Sequence, residues 1–248
     1  MSKVIVEVCC GSAQDVIEAK KAGADRVELN SDLFHGGLTP SVGELIVAKR
    51  ETGLPIMAMV RPREGGFCYT PCEYQTALAD ARALLDAGAD GIVFGFLKPD
   101  GTVDTDRCRE MRALIGGKTA VFHRAIDVTP DWKAAVDTLC ELKIDRILTS
   151  GQAPSVWEGA PVVAEMVRYA RGRIQILPGA GVTRQNAAAL VAQTGCTQVH
   201  AAIYKLCFDR SALGNPSIFF GGAIYPPEDR YNLIDNAAIG DIRAAVNR

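Results

Sequence analysis

The sequence predicts a single-domain α/β fold, a (β/α)₈ TIM barrel, in which eight parallel strands form a closed sheet inside a ring of helices. Short apolar runs alternate with amphipathic stretches, and this alternation is typical of parallel strands joined by helices. Eight such runs occur in 248 residues, which suits one barrel domain. Polar residues collect at the C-terminal ends of these runs, where barrels of this kind carry their sites.

The eight predicted strands begin roughly every 20–35 residues, as βαβ units require. In chain order the runs are VIVEVCC, DRVELN, PIMAMVRPR, DGIVFGF, TAVFHRAID, DRILTSGQ, IQILPGAGV and TQVHAA. After the first run, Ser12 is a typical N-cap for a helix that ends at Gly23. The phrase AGADRVEL returns as AGADGIVF before the fourth strand. One helix–turn–strand unit therefore recurs, and no domain boundary is predicted before residue 200.

The pattern changes near the C-terminus. Residues 204–236 contain the pairs Asn215-Pro216, Gly221-Gly222 and Pro226-Pro227 and show no clear period. We therefore predict one domain over 1–248, with an irregular excursion at about 204–236 before a last helix, DNAAIGDIRAAVNR. Long loops in compact domains are usually functional or lie at interfaces. The apolar run FFGGAIY in this excursion predicts a contact between subunits.

Composition excludes several classes of protein. The net charge is −2, so neither nucleic acid nor an anionic membrane is an expected partner. No apolar run approaches the ~20 residues of a membrane span, and MSKVIVEVCC lacks the layout of a signal peptide. We expect a cytoplasmic protein whose eight cysteines are thiols. No CxxC pair occurs, which argues against zinc-ribbon and thioredoxin-like sites.

Two acidic residues on the first two strands are candidates for acid–base chemistry. Burying Glu7 against the apolar helix layer would be costly, so we expect it to face the barrel interior. Period-two alternation then puts Cys9 on the same side and Cys10 on the other. The same reasoning turns Glu28 and Asn30 inward.

His123, in the FHRAID run after the fifth strand, is the best candidate for a catalytic residue. Histidine titrates near neutrality, and Glu7 or Glu28 across the mouth would supply its partner carboxylate. The alternative is a hydrogen-bonding rim residue without a chemical role. His200 at the end of the eighth strand is a weaker candidate and is assigned to ligand binding.

The loops after strands three, five, six and seven predict a site for a small anion. Arg61 in RPREGGFCYT suits a carboxylate or phosphate, as does Arg124. Alternation also turns Arg63 inward, unless the chain leaves the sheet at Pro62. The alternative for Arg61 is an ion pair with Glu28 or Glu7 at the rim. Small-residue loops with free N–H groups complete the predicted set, which comprises Ser150, Gly151, Gln152, Gly179 and Gly181.

The residues alone give little support to a metal site. Cu(I) prefers two or three soft ligands, and Cys9 is the one cysteine that alternation places near the mouth. Met57 and Met59 on the third strand are interpreted as core filling. No cofactor follows from these residues.

The chain resembles the CutC family, which is named for copper homeostasis and is unrelated to the choline lyase of the same name. The motifs VEVCC, AGADRVEL, GGLTPS, the RPR–GG–FCY run, FHRAID, RILTSGQ and PGAGV carry the resemblance, in order, from the first strand through the eighth. It implies a TIM barrel that is cytoplasmic and forms homodimers or homotetramers. It also implies a role in controlling intracellular copper, with Cu(I) as the bound ion.

The resemblance carries over unevenly to this chain. The first of the family's two proposed copper cysteines corresponds to Cys9, but Asn30 occupies the second position and Ala201-Ala202 replaces a polar pair. The polar residues match the family at Glu7, Glu28, Arg61, His123, Arg124, Ser150, Gly151 and Gln152. We therefore keep three functions open: copper homeostasis, acid–base catalysis on a small anionic sugar-like compound by a lyase, isomerase or hydrolase, and metabolite sensing.

Overall fold

The computed structural model describes residues 3–221 and 227–247, and its centre is a barrel of eight parallel strands. Each strand pairs with its sequence neighbour from β1 to β7, and β8 pairs with β1. The Gln198 side chain of β8 donates to the Ile176 carbonyl of β7 at 3.3 Å, across the remaining gap. The strands are β1 Ile5–Cys10, β2 Arg26–Leu29, β3 Ile56–Met59, β4 Gly91–Phe94, β5 Thr119–Phe122, β6 Arg146–Thr149, β7 Gln175–Pro178 and β8 Gln198–Ala201.

Eight helices of the described chain surround the strands. Ser12 caps the first of them and accepts a hydrogen bond from the Asp15 amide, as the sequence predicts. Thr70 and Glu73 form a capping box at the start of the third. The helices are α1 Ala13–Lys21, α2 Val42–Thr52, α3 Pro71–Asp86, α4 Thr105–Ile115, α5 Trp132–Glu141, α6 Ala160–Ala170, α7 Ala187–Thr194 and α8 Asn236–Val246.

The apolar core has two parts because each strand has two faces. The larger part lies between the strands and the helices, where one face of every strand meets the apolar face of a helix. The smaller part lies inside the barrel and consists of Met57, Met59, Val93 and Val121. The two methionines therefore fill the barrel interior, and the interior close to β1, β2 and β8 is left to polar residues.

The segment after β8 contains regular structure that the sequence did not predict. Strands β9, Tyr204–Phe208, and β10, Arg230–Ile234, form an antiparallel pair. The Ile234 amide donates to Asp15 at 2.8 Å, and the Tyr204 hydroxyl donates to the Cys9 carbonyl at 3.0 Å. These long-range bonds join the pair to the barrel, and no local period could reveal them. The part of the FFGGAIY run from 222 to 225 lies outside the described residues.

None of the helices within 3–221 and 227–247 is both long enough and apolar enough to cross a membrane.

Candidate functional site

A cavity of about 290 Å³ opens at the C-terminal ends of the barrel strands. Strands β1, β2, β3, β6 and β8 and the loops that follow the strands contribute its wall. The lining residues are Cys9, Glu28, Gly36, Met59, Arg61, Phe67, His123, Arg124, Leu148, Ala180, His200 and Ala202. Apolar side chains alternate with ionisable ones in this wall, as is common in small-molecule sites.

Glu7 lies below the cavity and is the centre of a buried ionic cluster. Arg26 Nε donates to its Oε2, Arg146 Nη1 lies 3.7 Å from the same oxygen, and His200 Nδ1 lies 2.8 Å from Oε1. Burial raises the pKa of the Glu7 carboxyl, but Arg26, His200 and Arg146 outweigh burial, so the net pKa is well below its ordinary value. Glu7 is therefore ionised and engaged by protein groups, rather than facing a ligand.

His200 joins this cluster to the cavity. Its Nδ1 contacts Glu7, and its Nε2 lies 4.0 Å from Glu28 Oε1. Burial lowers the pKa of His200, but Glu28, Cys9 and Glu7 raise it further than burial lowers it, to well above the ordinary value. His200 is consequently an imidazolium between two carboxylates at neutral pH.

Glu28 and Cys9 form the cavity wall beside His200. The Asn30 amide donates to Glu28 Oε1 at 3.0 Å and contacts Cys9 Sγ at 3.5 Å, so one side chain holds both groups. The second carboxylate oxygen, Glu28 Oε2, is buried without a hydrogen-bond partner among the described residues. Burial raises the pKa of Glu28 and also that of Cys9, which disfavours the thiolate.

His123 lies on the opposite wall in a different environment. Its Nδ1 accepts a hydrogen bond from the Ala125 amide at 3.1 Å, so in the neutral ring the proton is on Nε2. Burial, together with the charge of Arg61, lowers the pKa of His123 to about 3. Its buried Nε2 has no hydrogen-bond partner in the described part of the chain. His123 therefore offers a neutral, unused N–H donor at the cavity.

The position of His123 depends on a glycine in the neighbouring loop. A Cβ on Gly95, directly after β4, would overlap the imidazole ring, with Nδ1 only 2.6 Å away. The ring of Phe67 also packs against His123, with their centroids 4.8 Å apart. The ring is thus held between two loops.

Arg61 is a buried cation without a carboxylate partner within 3–221 and 227–247. Its guanidinium donates to the backbone carbonyls of His35, Gly37 and Gly65, at 3.0, 3.1 and 2.9 Å, and lies 5.5 Å from the centroid of Phe67. The rim ion pair with Glu28 or Glu7, the alternative that the sequence leaves open, is therefore not formed. Neutral carbonyls orient this charge but do not compensate it, so it is available to an anion.

The loop after β6 uses its donors internally. Asp127 accepts hydrogen bonds from the amides of Ser150 and Gln152 and from the Ser150 hydroxyl. The Gly151 amide donates to Thr149 Oγ1. These donors, which the sequence predicts to bind an external anion, are occupied by protein oxygens.

In the loop after β7, Gly179 uses its amide within the protein, whereas Gly181 is bonded through its carbonyl. The Gly179 amide donates to the Thr149 carbonyl at 2.9 Å, and the Gly181 carbonyl accepts from the Asn186 side chain. Ala180, between these two glycines, lines the cavity. A Cβ on Gly179 would approach His200 to 3.1 Å, so this glycine allows the close packing of the eighth strand.

Six of the residues predicted from the sequence line the cavity, whereas the other predicted residues are not among its lining residues. The six lining residues are Cys9, Glu28, Arg61, His123, Arg124 and His200. The carboxylates contact His200 rather than His123, which differs from the expected partnership. Arg63 pairs with Glu73 instead of turning inward, because the chain leaves the sheet after Met59.

Sequence reasoning missed three ionisable residues that shape this site. Arg26 and Arg146 neutralise Glu7, and Asp127 organises the loop after β6. Alternation could have identified Arg26, which is two residues before Glu28 and shares its face. Arg146 likewise lies two residues before the cavity residue Leu148 and shares its face of the strand. Asp127 carries no comparable signal, since it acts across 22 residues or more.

Three side chains have the ligand types of a metal site. Cys9, Glu28 and His200 each offer an atom, and the three atoms lie within 4.8 Å of one another. One thiol, one carboxylate and one imidazole form a mixed set, whereas Cu(I) prefers several soft ligands. Asn30, at the second cysteine position, donates its amide protons to this cluster and adds no soft ligand.

Comparison with known sequences identifies the relatives of this chain. A model of the CutC family matches residues 4–205. The family protein CutC of Treponema denticola is 53% identical over 92% of this chain and 93% of its own. The human copper homeostasis protein cutC homolog is 35% identical over 97% of this chain and 88% of its own.

Solved structures agree with this relationship. A crystal structure of a CutC protein from Streptococcus agalactiae has a TM-score of 0.76 at 33% identity and covers 79% of this chain and 97% of that chain. An N-(5′-phosphoribosyl)anthranilate isomerase from Pyrococcus furiosus matches with a TM-score of 0.55 at 11% identity and covers 98% of both chains, which shows a shared fold alone. The family match, the identities and the barrel point the same way, and the chain belongs to the CutC family.

Proposed function

We propose that this CutC-family chain is a barrel enzyme that performs acid–base chemistry on a small anionic, hydroxylated compound. The observation that carries the proposal is the convergence of unused polar groups on one cavity. Glu28 Oε2 and His123 Nε2 are buried without partners among the described residues, and Arg61 lacks a carboxylate there. Buried polar groups are nearly always satisfied, so such a set indicates a missing ligand.

Arg61 would bind the acidic group of the substrate. Its three carbonyl contacts hold the guanidinium in one position, and the Phe67 ring limits its movement. A guanidinium that is oriented in advance binds a carboxylate without losing much side-chain freedom.

His123 would donate a hydrogen bond to a substrate oxygen. Its pKa of about 3 keeps the ring neutral at physiological pH, so Nε2 remains a donor and the ring carries no charge. A neutral imidazole in this arrangement stabilises negative charge as it develops on a carbonyl or hydroxyl oxygen.

Glu28 would remove a proton from the substrate, and the imidazolium of His200 would stabilise the negative charge that this leaves in the site. The raised pKa of Glu28 suits a group that takes a proton and later returns it. Glu7 Oε1 lies 2.8 Å from His200 Nδ1 and favours the protonated form of this ring. Proton transfer by these residues would serve a lyase or an isomerase that begins by removing a proton next to a carbonyl.

The test is hydrogen exchange at substrate carbon. The protein would be incubated in D₂O with hydroxy and oxo acids of three to six carbons, and loss of C–H signals would be followed by proton NMR. We expect one class of acid to exchange, with Glu28→Gln abolishing the exchange and the exposed Glu165→Gln leaving it unchanged. Binding without exchange would instead support a metabolite sensor. The absence of both binding and exchange would contradict the proposal.

The second candidate is copper homeostasis through Cu(I) binding, which the names of the human and mouse relatives suggest. The cluster of Cys9, Glu28 and His200 favours it. Cu(I) would have to displace the proton of His200 and ionise a thiol whose pKa burial raises. With one thiol, we expect weak binding at this cluster.

A competition titration with a Cu(I) chelator separates the two candidates. Wild type, Cys9→Ser and the exposed control Cys72→Ser would be compared. Tight one-to-one binding that only Cys9→Ser removes would establish copper as the ligand. Weak binding that both variants reduce equally would leave the enzyme proposal in place. A cytoplasmic location and a homodimer or homotetramer are further proposals that rest on the family resemblance.

A further inference from the structure

Asp127 is a heavily hydrogen-bonded carboxylate beside the cavity. Its side chain is 7% exposed and lies between the turn after β5 and the loop after β6. It accepts from Thr149 Oγ1, from the Ser150 amide and hydroxyl at 2.9 Å each, and from the Gln152 amide at 3.3 Å. Arg124 Nε adds a charged donor at 2.9 Å.

Together these donors form an anion-binding site, and the Asp127 carboxylate already fills it. Gly151 and Gln152 adopt φ values of +75° and +58°, and this curled backbone directs the amides of Ser150 and Gln152 to Asp127. A Cβ on Gly151 would overlap the backbone of Gly159, so the curl depends on a glycine there. The Asp127 carboxylate occupies the position that an external phosphate or carboxylate would take.

The same carboxylate determines where Arg124 lies. Arg124 lines the cavity, although its side chain is 44% exposed and could otherwise extend into solvent. Its Nε donates to Asp127 and its Nη2 donates to the Ser150 hydroxyl, also at 2.9 Å. The Ser150 hydroxyl in turn donates to Asp127 or to the Ala153 carbonyl. Arg124 is therefore fixed at the rim by Asp127 and by the Ser150 hydroxyl, which lies 2.9 Å from Asp127 Oδ2.

We infer that Asp127 is a positioning residue that acts as a resident anion: it excludes external anions from the loop after β6 and holds Arg124 at the cavity. The use of Arg124 for a substrate rests on the proposed function, whereas the occupied anion site does not. The acidic group of a substrate is thereby directed to the Arg61 and Arg124 side of the cavity.

The first experiment removes the carboxylate and supplies an anion in its place. Melting temperatures of wild type and Asp127→Gly would be measured with inorganic phosphate, with formate, and with sodium chloride at matched ionic strength. We expect phosphate or formate, beyond the chloride effect, to stabilise Asp127→Gly by about 2–4 °C more than wild type, because anion binding at Arg61 is common to both proteins. Equal responses in the two proteins would overturn the inference.

The second experiment tests the position of Arg124 without any ligand, and it also covers the case in which Asp127→Gly does not fold. The ¹⁵N–¹H signal of Arg124 Nε would be compared in wild type, Asp127→Asn and Asp131→Asn. Asp131 is a matched control, because it caps α5 by accepting from the Lys133 and Ala134 amides. We expect Asp127→Asn alone to shift the signal and speed its exchange with water. An unchanged Arg124 signal would overturn the positioning role, even if the cavity proves to be an enzyme site.

Discussion

The two cavity histidines are both buried but have opposite charge states. His200 lies between Glu7 and Glu28 and is protonated, whereas His123 lies beside Arg61 and Arg124 and is neutral. Burial lowers the pKa of both rings, so burial does not explain the difference. The sign of the neighbouring charges explains the difference. A protonated histidine and a neutral histidine therefore face each other in one cavity.

The two walls of the cavity differ in the chemistry that their side chains can perform. The wall formed by β1, β2 and β8 contains an imidazolium and a carboxyl group, with His200 Nε2 4.0 Å from Glu28 Oε1. The opposite wall contains an uncompensated guanidinium and a neutral N–H donor, which can hold an anion and an oxygen. Enzymes that separate groups with different pKa values in this way can act as acid and base at one pH.

The largest expected effect comes from Glu7, which keeps His200 charged. Glu7→Gln leaves Arg26, Arg146 and His200 close together without their shared carboxylate, and we expect a loss of about 3–5 kcal/mol in unfolding free energy. Urea denaturation measures it, with the exposed Glu165→Gln as a control that should change stability by less than about 0.5 kcal/mol. A loss as small as that of the control would mean that the cluster does not stabilise the fold.

A smaller effect is expected on the His123 wall from Gly95→Ala. The added Cβ overlaps the imidazole ring, so the ring or the β4 loop must move, at a cost of about 1–3 kcal/mol in unfolding free energy. Gly66→Ala is the matched control, since a Cβ there would meet no atom within 4 Å. Both variants would be compared by thermal unfolding and by substrate exchange. Unchanged exchange in a destabilised Gly95→Ala protein would argue against a donor role for His123.

The two histidines should affect the pH dependence of stability in different pH ranges. The lowered pKa of His123 means that the unfolded chain binds the extra proton between about pH 3 and 6.5, so stability rises with pH there. The raised pKa of His200 means that its contribution is complete below about pH 6.5 and declines as pH rises through the folded-state pKa. Each slope is at most about 1.4 kcal/mol per pH unit.

Urea denaturation of wild type, His123→Gln and His200→Gln from about pH 4 to about pH 9 provides the measurement, a range that covers most of the acid window and the start of the alkaline one. His123→Gln should flatten the rise on the acid side, and His200→Gln should flatten the decline on the alkaline side. If both substitutions altered the same window, the opposite charge states inferred for the two rings would be incorrect.

The smallest effect is expected from Cys9→Ser. The substitution keeps a polar group next to Glu28 and Asn30 and changes little volume, so we expect a stability change below about 1 kcal/mol and nearly unchanged substrate exchange. Circular dichroism melting and the exchange assay provide the two readouts. Loss of exchange with an intact fold would assign the thiol a chemical role on the His200 wall.

Much of this architecture could be predicted from local patterns. The eight apolar runs predicted the barrel, and alternation put Glu7, Cys9 and Glu28 on the interior face, where β1 and β2 carry them. The contact between Glu7 on β1 and His200 on β8 could not be predicted from local patterns, because 193 residues of sequence separate them. The charge of each histidine depends on those distant partners, and the role of Asp127 depends on a loop 22 or more residues away.

Arg61 combines two tasks in one side chain, and this has an evolutionary consequence. The guanidinium that is available to an anion also fastens the loops after β2 and β3 through the carbonyls of His35, Gly37 and Gly65. A substitution that altered the preferred anion would release both loops at once. We therefore expect relatives with new substrates to diverge first at neighbours such as Leu148 and Ala202, where a change of side chain reshapes the cavity and leaves its frame intact.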